Sequence, residues 1–115
     1  MSRVAADASA ARRRHHAAVF AALGDETRLS LVSALSGGES RSIAQLTGGS
    51  RLTRQAITKH LRVLENAGVV RSARSGRESR YEFDPGPVND LKQYLTRVSE
   101  HWDEALGRLK TLVEG

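Results

Sequence analysis

The chain has 115 residues and a net charge of +5, from 18 Lys and Arg against 13 Asp and Glu. That is enough for one domain with a modest core, which burial between two copies would reinforce. With no cysteine, disulfides, thiolate metal ligands and a cysteine nucleophile are excluded, and no run approaches the roughly 18–20 apolar residues of a membrane span. Fifteen of the cations are arginine, a side chain suited to bidentate contacts with phosphates and base edges. The balance points to a polyanionic partner and a cytoplasmic setting. Aromatic residues are too few for stacking on single strands.

Met1 to Ser9 is small and polar, so residues 1–9 are expected to be a flexible segment ahead of a single domain over 10–115. Ala10 to Leu23 predicts a first helix with Ala17, Phe20, Ala21 and Leu23 on its apolar face and Gly24 at its end. His15 and His16 read as an exposed polar pair, since a metal site there needs ligands from elsewhere. Asp25 predicts an N-cap for a second helix, with Leu29, Val32 and Leu35 as its buried stripe and Leu31 on the flank. The turn Ser36 to Ser40 leads to a short third helix over about Ser42 to Leu46, with Ile43 and Leu46 inward.

Thr47 to Ser50 breaks that helix, and Thr53 caps the next. On a wheel at about 100° per residue, Ile57, Leu61 and Leu64 fall within roughly 60° of one another. Arg54, Gln55, Thr58, Lys59 and Arg62 occupy the outer side, and Gly68 supplies the stop. Two short helices joined by a Gly-bearing turn, the second basic outside, form a helix-turn-helix pattern over 42–66. The outer side chains suit a DNA major groove, with Arg54, Gln55, Thr58 and Lys59 entering it, Gln55, Thr58 and Lys59 as readers, and Arg62 and His60 nearer phosphates.

Val69, Tyr81 and Phe83 are strand formers around a Ser75-Gly76 turn, which predicts a hairpin over 69–84. It carries Arg71, Arg74, Arg77 and Arg80, and Arg74 and Arg77 near its tip are the candidate phosphate or minor-groove contacts. Asp84-Pro85-Gly86-Pro87 ends it. A last helix over 88–113 then places Leu91, Leu95, Val98, Trp102, Leu106, Leu109 and Val113 within roughly 80° of the wheel. So narrow a seam on so long a helix predicts a homodimer interface, with Phe20 of the first helix contributing.

The order of elements is mainly α with a β-hairpin wing. It resembles the ArsR-type winged helix-turn-helix regulators. The run Val19 to Leu29, the run Gln55 to Val70 and the wing Gly76 to Tyr81 carry the resemblance, which spans about residues 15–113. It implies a dimeric repressor, joined through the first and last helices, that leaves its operator when an effector binds. The family's thiolate sensors place cysteines on the helix before the recognition helix, and Ser42 to Leu46 has none. A second family site uses Asp-x-His, ten residues, then His-x-x-Glu on the last helix. Here Asp90 is followed by Leu91 and Lys92, and the later positions of that register are Asp103 and Leu106. The stretch Glu100 to Leu106 with Arg108-Leu109-Lys110 resembles a metal-free branch of the family, and no metal or other cofactor is expected. The loop Thr47 to Leu52 is longer than the family's usual one.

The expected partners are double-stranded DNA, a second copy of the chain and a small-molecule effector of unknown kind, with no membrane. Two-fold symmetry predicts a pseudo-palindromic operator and allows autoregulation. The alternative is a winged-helix module whose basic surface meets an acidic protein. Catalysis is not expected, because no histidine has a spaced nucleophile or carboxylate partner and no Gly-rich phosphate loop is present.

Overall fold

Residues 3–114 are described by a computed structural model. Five helices and three strands follow in the order α1 (Arg3–Leu23), α2 (Glu26–Leu35), β1 (Arg41–Ser42), α3 (Ile43–Gly48), α4 (Arg54–Asn66), β2 (Val70–Ser75), β3 (Glu78–Phe83) and α5 (Pro85–Glu114). Local chemistry sets most of the boundaries. Asp25 Oδ2 accepts from Arg28 N at 3.0 Å and opens α2. Ser42 and Gln45 form a reciprocal capping box at α3, and Thr53 Oγ1 accepts from Ala56 N at 3.1 Å to open α4. Helix α4 ends in a Schellman motif. Gly68 takes φ +78°, its N–H donates to Glu65 O at 2.9 Å, and Val69 N–H donates to Leu64 O at 3.0 Å.

Two helices are longer than their sequence patterns suggested. Helix α1 begins at Arg3, not near Ala10, because its Ala-rich start contains no Gly or Pro to stop it; Met1 and Ser2 lie outside the described residues. Helix α5 begins at Pro85, not Val88. Asp84 Oδ1 accepts from Gly86 N at 3.0 Å, and Pro85 and Pro87 sit in the first turn, where a missing N–H costs no intrahelical bond.

The sheet order is β1-β3-β2, all antiparallel. Ser75 pairs with Glu78, so Gly76 and Arg77 form a two-residue hairpin loop, and Gly76 takes the positive φ of +64° that a glycine tolerates. The two-residue strand β1 had no sequence signal. It adds Arg41 and Ser42 opposite Tyr81 and Arg80 and ties the wing to the start of α3.

The core gathers Val19 and Ala22 of α1, Leu31 and Leu35 of α2, Leu46 of α3, Ile57, Leu61 and Leu64 of α4, Val69, Val70 and Tyr81 of the hairpin, and Leu91 of α5. Two helices are rotated from expectation. In α1 the inward residues are His16, Val19 and Ala22, while Ala17, Phe20 and Ala21 face out. In α2, Leu29 is 51% exposed and Leu31 is buried in its place. The Arg28 side chain of α2 reaches back to the end of α1. His16 is 8% exposed, not a surface residue, and its ring stacks on Tyr94 with centroids 4.9 Å apart.

Helix α5 runs antiparallel to α1. Leu23 and Phe20 share one groove with Val88 and Leu91, and further along His16 meets Tyr94. From Ser99 onward α5 stands almost wholly exposed.

Candidate nucleic-acid interface

Helix α4 presents the intended division. Ile57, Leu61 and Leu64 are buried, so the opposite side must face solvent, and Arg54, Gln55, Lys59 and Arg62 are exposed there. Thr58 is half-buried, and its hydroxyl donates to Arg54 O at 2.7 Å, leaving oxygen lone pairs rather than the proton for an outside donor. Val63, also on this helix, is an exposed apolar side chain that charge-based reading passed over. It offers a methyl surface beside the polar readers.

His60 belongs elsewhere. Arg28 Nη1 lies 3.1 Å from His60 Nδ1, and Asp25 Oδ2 lies 3.8 Å from the same nitrogen. An arginine only donates, so in this contact Nδ1 is the acceptor. The longer Asp25 approach is then a neighbouring charge and not an ion pair. Asp25 is held below the usual carboxylate range first by the Arg28 backbone N–H, against a smaller desolvation effect, with the Arg28 charge adding to the lowering. His60 Nδ1 is thus turned toward the α1–α2 junction, and 24% of its side chain remains exposed.

Arg28 is the hub of that junction. Its Nε donates to Ala22 O at 2.6 Å and its Nη2 to Ala21 O at 3.4 Å. One guanidinium thus satisfies carbonyls at the C-terminal end of α1, where a cation is favoured, and holds α4 through His60. Sequence reading missed this role. The only local hint was Arg28 three residues after a capping aspartate.

The four hairpin arginines divide into two pairs. Arg71 Nη2 pairs with Glu82 Oε1 at 3.3 Å. Arg80 donates to Ser40 Oγ at 3.0 Å, to Ser40 O at 2.9 Å and to Glu78 Oε2 at 3.1 Å. Both serve the wing's own attachment. Arg74 and Arg77 are exposed and make no ion pair among the described residues. Arg77 and Arg54 line one cleft of about 180 Å³ with the start of α3 and with Glu78, whose carboxylate is paired with Arg80, so the wing tip and the front of α4 share one edge that carries both free arginines. The Ser72 hydroxyl donates to Glu65 Oε2 and fastens the wing's first strand to α4.

The expected dimer side chains also separate. Phe20 is 41% exposed, Trp102 is 65% exposed, and Leu95, Leu106 and Leu109 are exposed as well. Val98 is half-buried. Leu91, at 4% exposure, is part of the chain's own core. It forms the floor of a groove of about 690 Å³ between α1 and α5, whose rims carry Phe20 and Leu95. Among the described residues no group of three or more His, Asp or Glu is placed to hold a metal ion, and no helix is long and apolar enough to cross a membrane.

Residues 23–73 match a family model described as a helix-turn-helix domain. The chain is 40% identical over 80 residues to the uncharacterized HTH-type transcriptional regulator YuzN of Bacillus subtilis, covering 64% of this chain and 87% of that protein. It is 30% identical over 93 residues to the HTH-type transcriptional regulator Rv2034 of Mycobacterium tuberculosis, covering 81% and 83%. Its structure resembles an ArsR-like transcriptional regulator from Rhodococcus sp. RHA1, with TM-score 0.77 and 36% identity over 89% of this chain and 95% of that one. The homodimeric winged helix-turn-helix DNA-binding domain Mb0332 of Mycobacterium bovis has the same fold, with TM-score 0.64 and 24% identity over 89% and 91%.

Proposed function

This chain belongs to the ArsR-type winged helix-turn-helix transcriptional regulators, and we propose that it is a homodimeric repressor that occludes a pseudo-palindromic operator. The observation that carries the reading is the free cationic edge. Along this edge, Arg54, Gln55, Lys59 and Arg62 on α4 and Arg74 and Arg77 on the wing are exposed and their side chains make no ion pair among the described residues. Arg54, Gln55, Thr58 and Lys59 enter the major groove, where Gln55, Thr58 and Lys59 read base edges, while Arg62 holds a phosphate. Arg74 and Arg77 reach the adjoining backbone or minor groove.

The second half of the operator follows from α5. A dimer joined along Phe20, Leu95, Trp102, Leu106 and Leu109 removes the largest exposed apolar surface from water. It also relates two α4 helices by a two-fold axis, so half-sites fall about one helical turn, or a multiple, apart. Repression needs nothing beyond such a dimer seated over a promoter, and an inverted repeat upstream of its own gene would make it self-limiting.

Selection of bound duplexes from a random pool tests the reading. A symmetric site should emerge, Gln55→Ala should lower the ratio of specific to nonspecific affinity, and Arg77→Ala should weaken both and reduce the salt slope by about one. Absence of duplex binding at low salt would replace this reading with the protein-binding module.

A further inference from the structure

A second cationic surface lies away from α4 and the wing, where the front of α1 crosses the middle of α5. Ser9, Arg12, Arg13, His16, Tyr94 and Arg97 line a cleft of about 340 Å³. No carboxylate lines it, and none of its three guanidiniums makes an ion pair among the described residues. Arg13 donates to the Ser9 hydroxyl at 3.3 Å. The cleft continues beside Ala17 and Phe20 into a further cavity of about 240 Å³.

His16, one of the lining residues, carries an independent feature. His16 is 8% exposed, and its Nδ1 is buried with no hydrogen-bond partner. The ring is held against Tyr94 at 4.9 Å and 23°, so it cannot swing out to water without breaking the α1–α5 contact. Buried polar atoms are rarely left unpaired, and a functional explanation is warranted when one is. Three guanidiniums repel a cation, which disfavours a metal on this nitrogen. A DNA backbone can touch exposed arginines but is too large to enter beside a residue only 8% exposed, whereas a small anion needs only a side-chain adjustment to reach its covered nitrogen.

We propose that this cleft binds a small organic anion. Its charged end meets Arg12, Arg13 and Arg97 and accepts from Nδ1–H of His16, and its apolar body lies over Tyr94 toward Ala17. The size suits such a ligand, since pockets for small molecules begin at roughly 300 Å³. Planar guanidinium forks favour a carboxylate or a phosphate monoester. Binding here does not depend on the repressor reading.

Titration of the full chain with benzoate and with phenyl phosphate, followed by calorimetry and by the Tyr94 and His16 ring resonances, tests this. At least one of the two anions should bind saturably and shift both rings, whereas benzyl alcohol should not. Arg97→Met should weaken binding about tenfold, the loss expected for one charge-assisted hydrogen bond. His16→Phe keeps an aromatic ring against Tyr94 but removes the nitrogen, and should weaken binding comparably in a protein that remains folded. Equal binding of benzyl alcohol, no saturable binding of either anion, or unchanged affinity in both variants would each overturn the proposal. So would inorganic phosphate binding as tightly as phenyl phosphate, because the apolar body then contributes nothing. A lower DNA salt slope in Arg97→Met without ligand would assign the arginines to the DNA surface instead. These binding readouts use the free protein, so failure here leaves the operator model standing, and failure of that model leaves this site standing.

Discussion

Replacing Arg28 with methionine isolates the junction that sets the recognition helix against the rest of the fold. The variant keeps most of the apolar stem and loses the bonds to Ala22 O at 2.6 Å, Ala21 O at 3.4 Å and His60 Nδ1 at 3.1 Å. A hydrogen bond from a charged donor contributes about 1.5–3 kcal/mol. The Ala22 bond deserves the upper part of that range and the 3.4 Å bond little. Water can reach His60, whose side chain is 24% exposed, so that bond is partly replaced. The expected loss is about 3 kcal/mol, or roughly 12 °C in Tm for a domain near this size. Far-UV circular dichroism during heating measures it, at one fixed protomer concentration because assembly shifts Tm. Arg28→Lys should recover less than half, since an ammonium cannot span three acceptors fixed by a planar fork. A loss below about 0.5 kcal/mol for the methionine variant, within the range of ordinary surface changes, would refute the hub. Full recovery by lysine would show that charge near the end of α1, not fork geometry, is responsible.

Arg80→Ala should lower stability through the lost Ser40 bonds yet leave the salt slope of DNA binding unchanged, read from binding isotherms across salt; a reduced slope would return Arg80 to the DNA surface. Asp25 has its folded pKa lowered from 3.8 by the Arg28 N–H, so its stabilising contribution is present above the ordinary carboxylate value and is lost as pH falls through the folded one. Denaturant unfolding of the native chain and Asp25→Asn should therefore converge in strong acid, well below about pH 4, and a gap that widens there would contradict the sign. Trp102 is 65% exposed, which for a side chain of about 200 Å² leaves about 130 Å² to cover, or about 3 kcal/mol per copy as an upper bound. Sedimentation equilibrium of Trp102→Ala should show dimer dissociation raised at least about 100-fold, and an unchanged constant would move the interface off α5.

What was legible in the sequence was chain-local. The caps Asp25 and Thr53, the glycine at Gly68 and the stripe of Ile57, Leu61 and Leu64 all act within a few residues, and each appears where its chemistry requires. The free cations of α4 were readable for the same reason, because a buried stripe dictates its opposite face. The misread features depend on partners far along the chain. Helices α1 and α2 hold so many Ala and Leu residues that wheels turned by one or two positions fit almost equally well. The choice of Leu31 over Leu29, and of Val19 over Phe20, is made by docking. His16 follows three arginines and looks like surface, but Tyr94 buries it. Arg80 looks like its neighbour Arg77 until β1 places Ser40 and Gln45 beside it.

The seam on α5 takes this distinction furthest. One unbroken apolar repeat runs from Leu91 to Val113, yet the fold treats its two halves differently. Leu91 is sealed by the chain's own α1 and core, whereas from Trp102 onward the same stripe lies bare. Periodicity identifies which face of a helix must be hidden, while the reach of the neighbouring elements decides what hides it. A repeat that continues past the end of its intramolecular partner still carries the free-energy demand of the unburied part. On α5 that demand falls on Trp102, Leu106 and Leu109, which is why the dimer proposal rests on the far half of the helix and not on the seam as a whole.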